Sequence, residues 1–125
     1  MINSSMPNLF ADDVEATALF YRDQLGFSES SRVPREGRPE HVVLQLGESQ
    51  LALSTPRAVN AVGLRPSTGN SFELIVWCHD VDTETARLRA DGVTIVVDPY
   101  HHVGGHRRAY ITDPDGNWVA LVDTH

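Results

Sequence analysis

The sequence contains a single cysteine, Cys78, among its 125 residues, which excludes an internal disulfide framework and is typical of a reducing compartment. The opening residues, MINSSMPNLFADD, lack the basic segment and apolar stretch of a secretory signal. No apolar run approaches the roughly 20 residues that cross a bilayer. We therefore expect a cytoplasmic protein with no membrane partner.

Basic side chains are also scarce, with 10 lysine and arginine residues against 17 aspartate and glutamate residues and a formal net charge of −7. Nucleic-acid binding requires clustered basic side chains, so we expect no nucleic-acid partner. The acidity has two interpretations: it keeps the chain soluble, or its summed field attracts a cationic ligand. Charge alone does not decide between them.

Two segments with helical periodicity resemble each other, DVEATALFYRDQLG and DVDTETARLRADG. Asp12 is the predicted N-cap of the first helix, with Glu15 as a capping-box acid, and Asp80 is the predicted N-cap of the second. Gly26 and Gly92 follow the two helices. Self-similarity of this kind indicates a duplicated structural unit.

The segments around each helix match as well. A strand is predicted before each helix, within 4–11 and 71–78. Three strands follow each helix, FSESSRV, HVVLQLG and QLALST in the first half and VTIVVD, RRAYIT and NWVALV in the second. Turns are predicted at Gly47 and at Asp113-Pro114-Asp115-Gly116.

The predicted fold is therefore α+β, with two βαβββ modules that form a curved mixed sheet around a concave ligand cavity. The whole chain is interpreted as one domain of ordinary size. The first module spans 1–58, the linker spans 59–70 and is rich in Gly, Pro, Ser and Asn, and the second module spans 71–125.

Strand alternation assigns side chains to two faces of each module. The predicted helix-side residues are Val42, Leu44, Leu46, Leu51, Leu53, Phe72, Leu74, Val76, Val119 and Leu121. The predicted cavity residues are Met6, Asn8, Phe10, His41, Val43, Gln45, Gln50, Ala52, Ser54, Glu73, Trp77, Trp118, Ala120 and Val122. A concavity with two tryptophans suits a planar or partly apolar small molecule. The alternative is that the tryptophans fill core space or a subunit interface.

Three motifs, FADDVEATALFYRDQLGF, VDTETARLRADGV and ITDPDGNWVALVD, span most of the chain and together resemble the vicinal oxygen chelate superfamily. That superfamily includes glyoxalase, fosfomycin-resistance proteins, extradiol dioxygenases and bleomycin-resistance proteins. The resemblance implies a homodimer and a small-molecule ligand in the cavity.

The metal-using branch of that superfamily places His or Glu at four positions, and motif matching carries these onto Met6, Ala52, Glu73 and Ala120. A thioether is a soft ligand, a methyl group has no lone pair, and catalytic metals take about three protein ligands. The sequence therefore predicts neither a metal nor a cofactor.

Glu73 has three possible roles: a general acid or base, a partner for a cationic group on the ligand, or a structural partner of Arg108 or His41. The predicted ligand-binding residues are Phe10, His41, Gln45, Glu73, Trp77, Arg108 and Trp118.

Three histidines in YHHVGGHRR, His101, His102 and His106, offer a second possible metal site, but the glycines between them favour a flexible loop over the cavity mouth. Whether that loop binds metal stays open. Cys78 has no basic neighbour in sequence and is interpreted as an inert thiol.

The favoured function is metal-free binding and sequestration of an aromatic or cationic antibiotic or metabolite, as in the bleomycin-resistance branch. The alternative is a lyase, isomerase or dioxygenase that uses an unconventional metal site or Glu73 as acid or base. Such chemistry in relatives uses an electrophilic metal.

Overall fold

The computed structural model describes residues 1–67 and 69–124, which belong to two compact units, Met1–Thr68 and Gly69–His125. The first unit contains β1 (Asn8–Phe10), α1 (Val14–Leu25), β2 (Ser28–Val33), β3 (His41–Leu46), β4 (Ser49–Ser54) and the short helix α2 (Pro56–Asn60). The second contains β5 (Leu74–Cys78), α3 (Val81–Ala90), β6 (Ile95–His101), β7 (Arg107–Thr112) and β8 (Trp118–Asp123).

Each unit forms one four-stranded mixed sheet, in the order β1-β4-β3-β2 or β5-β8-β7-β6. The first strand of each sheet runs parallel to the last strand, and the other pairings are antiparallel. This confirms the predicted α+β fold with two βαβββ modules. Helix α2 crosses the predicted boundary between the first module and the linker. The predicted linker, 59–70, includes Thr68, and the predicted second module, 71–125, includes His125; these two residues lie outside the described residues.

Helix α1 begins one residue later than the sequence predicted. Asp13, and not Asp12, is the N-cap, because its carboxylate accepts a hydrogen bond from the Ala16 backbone N–H at 3.1 Å. Glu15 is therefore not a capping-box acid. Its carboxylate instead accepts hydrogen bonds from the Arg32 guanidinium at 2.9 and 3.0 Å and so ties α1 to β2.

The other predicted helix ends are confirmed. The Asp80 carboxylate caps α3 by accepting from the Thr83 N–H at 3.1 Å. Gly26 ends α1 with a φ of +83°, a left-handed conformation that favours glycine.

The core of each module lies between its long helix and one face of its sheet. In the first module, Tyr21 is fully buried and makes edge-to-face contacts with Phe20 and Phe27 at centroid distances of 5.2 and 5.6 Å. The predicted helix-side residues that are buried are Val42, Leu44, Leu51, Leu53, Val119 and Leu121.

Two helix-side predictions are wrong. Leu46 is 39% exposed because it is the last residue of β3, next to the hairpin turn. Phe72 is 51% exposed because β5 begins only at Leu74, so the alternation of a strand does not apply to it. Among the described residues, no helix combines the length and the apolar character needed to cross a membrane.

Replacement of Asp13 by Ala is expected to lower the free energy of unfolding by about 1 kcal/mol, because the Ala16 N–H loses its acceptor. Asp13→Asn is the matched control, since an asparagine side chain caps a helix as well as aspartate. Urea denaturation of the wild type and the two variants measures the difference. Equal losses in the Ala and Asn variants would contradict the assignment of the cap.

Candidate functional site

The face of each sheet that points away from the long helix of its own module carries most of the predicted binding residues. We call the first the His41 face, composed of Asn8, Phe10, His41, Val43, Ala52 and Ser54. We call the second the Trp77 face, composed of Glu73, Ile75, Trp77, Arg108, Tyr110, Trp118, Ala120 and Val122.

Register fixes which side chains are neighbours on the Trp77 face. In one row, Val122 of β8 lies between Trp77 of β5 and Arg108 of β7. In the next row, Ala120 lies between Ile75 and Tyr110. The central strand thus carries small side chains, and the strands on either side carry larger ones.

The tryptophans are the most accessible aromatic groups on this face: Trp77 is 62% exposed and Trp118 is 42% exposed. Ala120 and Val122, which were also predicted to line the cavity, are fully buried, at 0% and 1%. The same correction applies to Ala52 and Ser54 in the first module, at 0% and 5%. These short side chains form the floor of each face, and a ligand would contact the longer neighbours.

Arg108 connects the polar groups of the Trp77 face. Its Nη1 lies 3.4 Å from Glu73 Oε1 and 3.3 Å from the Tyr110 hydroxyl. The hydrogen bond to Tyr110 is the main reason that the pKa of Arg108 is raised above its ordinary value. The buried Nε of Arg108 has no hydrogen-bond partner among the described residues. This donor is buried, so a ligand on the face does not reach it.

Glu73 lies just before β5 and is only partly exposed, with 29% of its side-chain surface accessible. Of its three proposed roles, the structure contains the contact that a structural partner of Arg108 would make. The distance of 3.4 Å between Arg108 Nη1 and Glu73 Oε1 makes it a weak ion pair. The other two roles stay predictions.

Tyr110 is a polar residue of this face that the sequence interpretation did not include. Burial raises the pKa of its phenol, which stays protonated at neutral pH. The signal was available, because alternation along RRAYIT places residues 108, 110 and 112 on one face.

The His41 face contains a chain of three polar side chains. The Ser54 hydroxyl donates to Asn8 Oδ1 at 2.9 Å, and His41 Nδ1 lies 2.8 Å from the same hydroxyl oxygen. Phe10, 37% exposed, is the register neighbour of Ser54 on its other side. The predicted residue Gln45 is used differently, since its amide donates to the Gly47 carbonyl at 3.0 Å and supports the hairpin turn.

The four positions that the metal-using branch fills do not fit a metal. Ala52 and Ala120 are buried methyl groups, and Met6 offers only a thioether, which leaves Glu73 as the single oxygen donor. Within residues 1–67 and 69–124, no three His, Cys, Asp or Glu side chains lie close enough to hold an ion together.

The histidines of YHHVGGHRR have separate neighbours. His102 and His106 close a turn, with the His102 N–H donating to the His106 carbonyl at 2.9 Å. His106 Nδ1 lies 3.6 Å from Asp123 Oδ1, whereas His102 Nδ1 lies 3.3 Å from the Tyr100 hydroxyl. His101 is the exposed last residue of β6.

An open pocket of about 410 Å³ lies elsewhere in the first unit, at the N-terminal ends of α1 and α2. It contains none of the predicted binding residues. Its two arginines are already paired, Arg38 with Asp13 at 3.6 Å and Arg57 with Glu40. We therefore place the candidate site on the sheet faces, where polar side chains and exposed aromatic rings occur together.

The family model described as "Glyoxalase/Bleomycin resistance protein/Dioxygenase superfamily" matches residues 3–121. The uncharacterized protein YaeR of Escherichia coli (strain K12) is 30% identical over 127 residues, covering 92% of this chain and 91% of YaeR.

Two solved structures illustrate the likeness. A lactoylglutathione lyase from Agrobacterium tumefaciens is 25% identical, with a TM-score of 0.75 over 98% of this chain and 95% of the lyase. A glyoxalase/bleomycin resistance protein/dioxygenase family enzyme from Burkholderia phytofirmans PsJN is 24% identical, with a TM-score of 0.83 over 97% of this chain and 98% of that one. The second likeness shows the fold alone.

Cys78 is expected to react slowly with thiol reagents, because burial, followed by the nearby carboxylates, raises its pKa to about 11. The rate of alkylation by iodoacetamide should rise with pH with a midpoint near pH 11, and at pH 8 it should be about 100-fold below that of a thiol whose pKa is 9. The Cys78→Ser variant, which has no thiol to alkylate, is the control. A midpoint near pH 8.5 would contradict the assigned environment.

Proposed function

The chain belongs to the glyoxalase/bleomycin resistance protein/dioxygenase superfamily, and on that basis we propose that it is a metal-free protein that binds a planar aromatic small molecule. The observation that carries the proposal is the exposure of both tryptophans, Trp77 and Trp118, on one sheet face. Exposed aromatic rings that share a face are typical of a ligand or partner site.

The spacing of the two rings suits a fused ring system. Trp118 and Val122 are four residues apart on β8, or about 13 Å along the strand, and Trp77 is the register neighbour of Val122. Ala120 lies between the two ends and presents only a methyl group. The two tryptophans thus lie at opposite ends of a short apolar stretch that contains Ala120.

The polar groups favour an aromatic ligand over a purely cationic one. Glu73 is already in contact with Arg108, so its charge is partly compensated before any ligand arrives. The Nε of Arg108 is buried, so an acceptor on the ligand, such as a carbonyl or carboxylate oxygen, would have to bind the terminal nitrogens of the guanidinium, whose side chain is 16% exposed. We infer that the ligand carries such an oxygen on its ring system.

The biological role that we propose is sequestration of an antibiotic or metabolite. This role needs no chemical step from the protein, and it agrees with side chains at the four family positions that do not fit a metal. The superfamily's own description includes bleomycin resistance protein, which gives the role a place among its members.

A second candidate function is that of a lyase, isomerase or dioxygenase, and the likeness to a lactoylglutathione lyase favours it. The chain would then need an unconventional metal site or Glu73 as acid or base. Metal analysis of protein purified without an affinity tag, followed by activity assays with added nickel, zinc, manganese or iron, tests this candidate. A stoichiometric ion together with turnover would replace the binding proposal.

Quenching of intrinsic tryptophan fluorescence by quinone and glycopeptide antibiotics is the direct test of binding. Because the chain has only two tryptophans, Trp77→Phe leaves Trp118 as the sole reporter, and Trp118→Phe leaves Trp77. We expect the ligand to quench the remaining tryptophan in each single variant, since each ring contacts the ligand. Saturable binding by calorimetry that leaves the fluorescence of both variants unchanged would reject the Trp77 face as the site.

Glu73→Gln separates the aromatic from the cationic interpretation. For a ligand without a positive charge, the substitution should change affinity by less than about threefold. For a ligand with an amine against Glu73, it should weaken binding by about 1–3 kcal/mol. Calorimetry with a charged ligand and its uncharged analogue measures both, and a large loss for the uncharged analogue would contradict the assigned geometry.

A further inference from the structure

We propose that the His41 face is a second ligand subsite, in which His41 Nε2 accepts a hydrogen bond from an aromatic hydroxyl group. The proposal rests on the polar chain of Asn8, Ser54 and His41, and it does not depend on the Trp77 face.

The direction of the hydrogen bonds in this chain follows from proton counting. A serine hydroxyl has one proton, and Ser54 donates it to Asn8 Oδ1 at 2.9 Å. The bond of 2.8 Å between Ser54 Oγ and His41 Nδ1 must therefore be donated by the imidazole. A neutral imidazole with its proton on Nδ1 has a lone pair on Nε2.

Nε2 is placed to use that lone pair. It has no hydrogen-bond partner within residues 1–67 and 69–124, and it is not among their buried, unsatisfied atoms. The other nitrogen of the ring is fixed by a nearly buried hydroxyl, with Ser54 only 5% exposed. Fixing one nitrogen in this way also fixes the direction in which the other nitrogen points.

The neighbours of His41 define the class of ligand. Phe10 lies in the same register row, on the opposite side of Ser54, and is 37% exposed. Val33 is the register neighbour of His41 on β2 and is 59% exposed. A phenol fits these neighbours, because its ring would contact the apolar side chains while its O–H donates to the imidazole.

Nitrogen NMR of His41 tests the chain of hydrogen bonds. At about pH 9, where histidine side chains are neutral, the long-range 15N–1H correlation pattern should show the Nδ1–H form in the wild type. Ser54→Ala removes the acceptor and should shift His41 toward the Nε2–H form. Asn8→Ala should do the same by a different route, because the Ser54 proton then becomes available to Nδ1. A wild type in the Nε2–H form would overturn the proposal.

Phenol and its methyl ether, anisole, test the ligand class. Phenol should move the Nε2 resonance to lower frequency as it donates its hydrogen bond, whereas anisole has no proton to donate and should not. His41→Phe keeps an aromatic ring and should weaken phenol binding about fivefold, with anisole unchanged. Equal shifts from phenol and anisole, or no shift from either, would overturn the proposal.

The same titrations in the Trp77→Phe and Trp118→Phe variants separate this subsite from the function proposed above. The His41 response to phenol should persist in both variants. Loss of the response in either variant would mean that the two faces are not independent sites, which would overturn the inference of a separate subsite while leaving aromatic binding at the tryptophans intact.

Discussion

The parallel pairing of the first and last strands of each module is the constraint on which the rest of the structure depends. Because the last strand occupies the place beside the first, the second strand of the module lies at the opposite edge of the sheet. The chain must therefore cross one face of the sheet between its first and second strands, and a helix makes that crossing. The helix covers one set of alternating side chains and leaves the other set to carry function. The exposed tryptophans and the His41 chain both belong to the set that the helix does not cover.

The two modules carry similar kinds of side chain at matching register positions, in addition to sharing one topology. In each, an aromatic side chain on the edge strand and a basic side chain on the third strand flank a small side chain on the central strand. The corresponding rows are Phe10, Ser54 and His41 in the first module and Trp77, Val122 and Arg108 in the second. The family positions for metal ligands on the central strands, Ala52 and Ala120, lie two residues before these small side chains. Neither alanine has an atom that could bind a metal ion.

Much of this could be predicted from the sequence, because alternation and turn residues act locally. The strands, the two long helices and the buried sets followed from periodicity, and the Gly47 turn even determines that His41 lies opposite Ser54. The cap at Asp13 was missed because two adjacent aspartates are equally good caps in sequence, and only the position of the Ala16 N–H distinguishes them. Such choices depend on geometry that the residue types do not specify.

The site was less accessible to prediction than the fold. Alternation correctly assigned Ala120 and Val122 to a face, but it does not say whether a side chain on a face is exposed, because that depends on the length of its neighbours across the strands. The Asn8–Ser54 bond required the parallel register of β1 with β4, which no turn fixes. Side-chain contacts between strands that are distant in sequence are therefore the feature that sequence patterns do not predict.

The equivalence of His41 and Arg108 has a consequence for how this architecture diversifies. A guanidinium can only donate, whereas an imidazole fixed through Nδ1 can accept, so the residue at this one position decides whether the surface offers a donor or an acceptor. Because these side chains stand on a sheet face, exchanging one for the other changes the hydrogen-bonding character of the surface while the backbone ladder between the strands stays in place. New ligand preferences in such a chain therefore need no refolding.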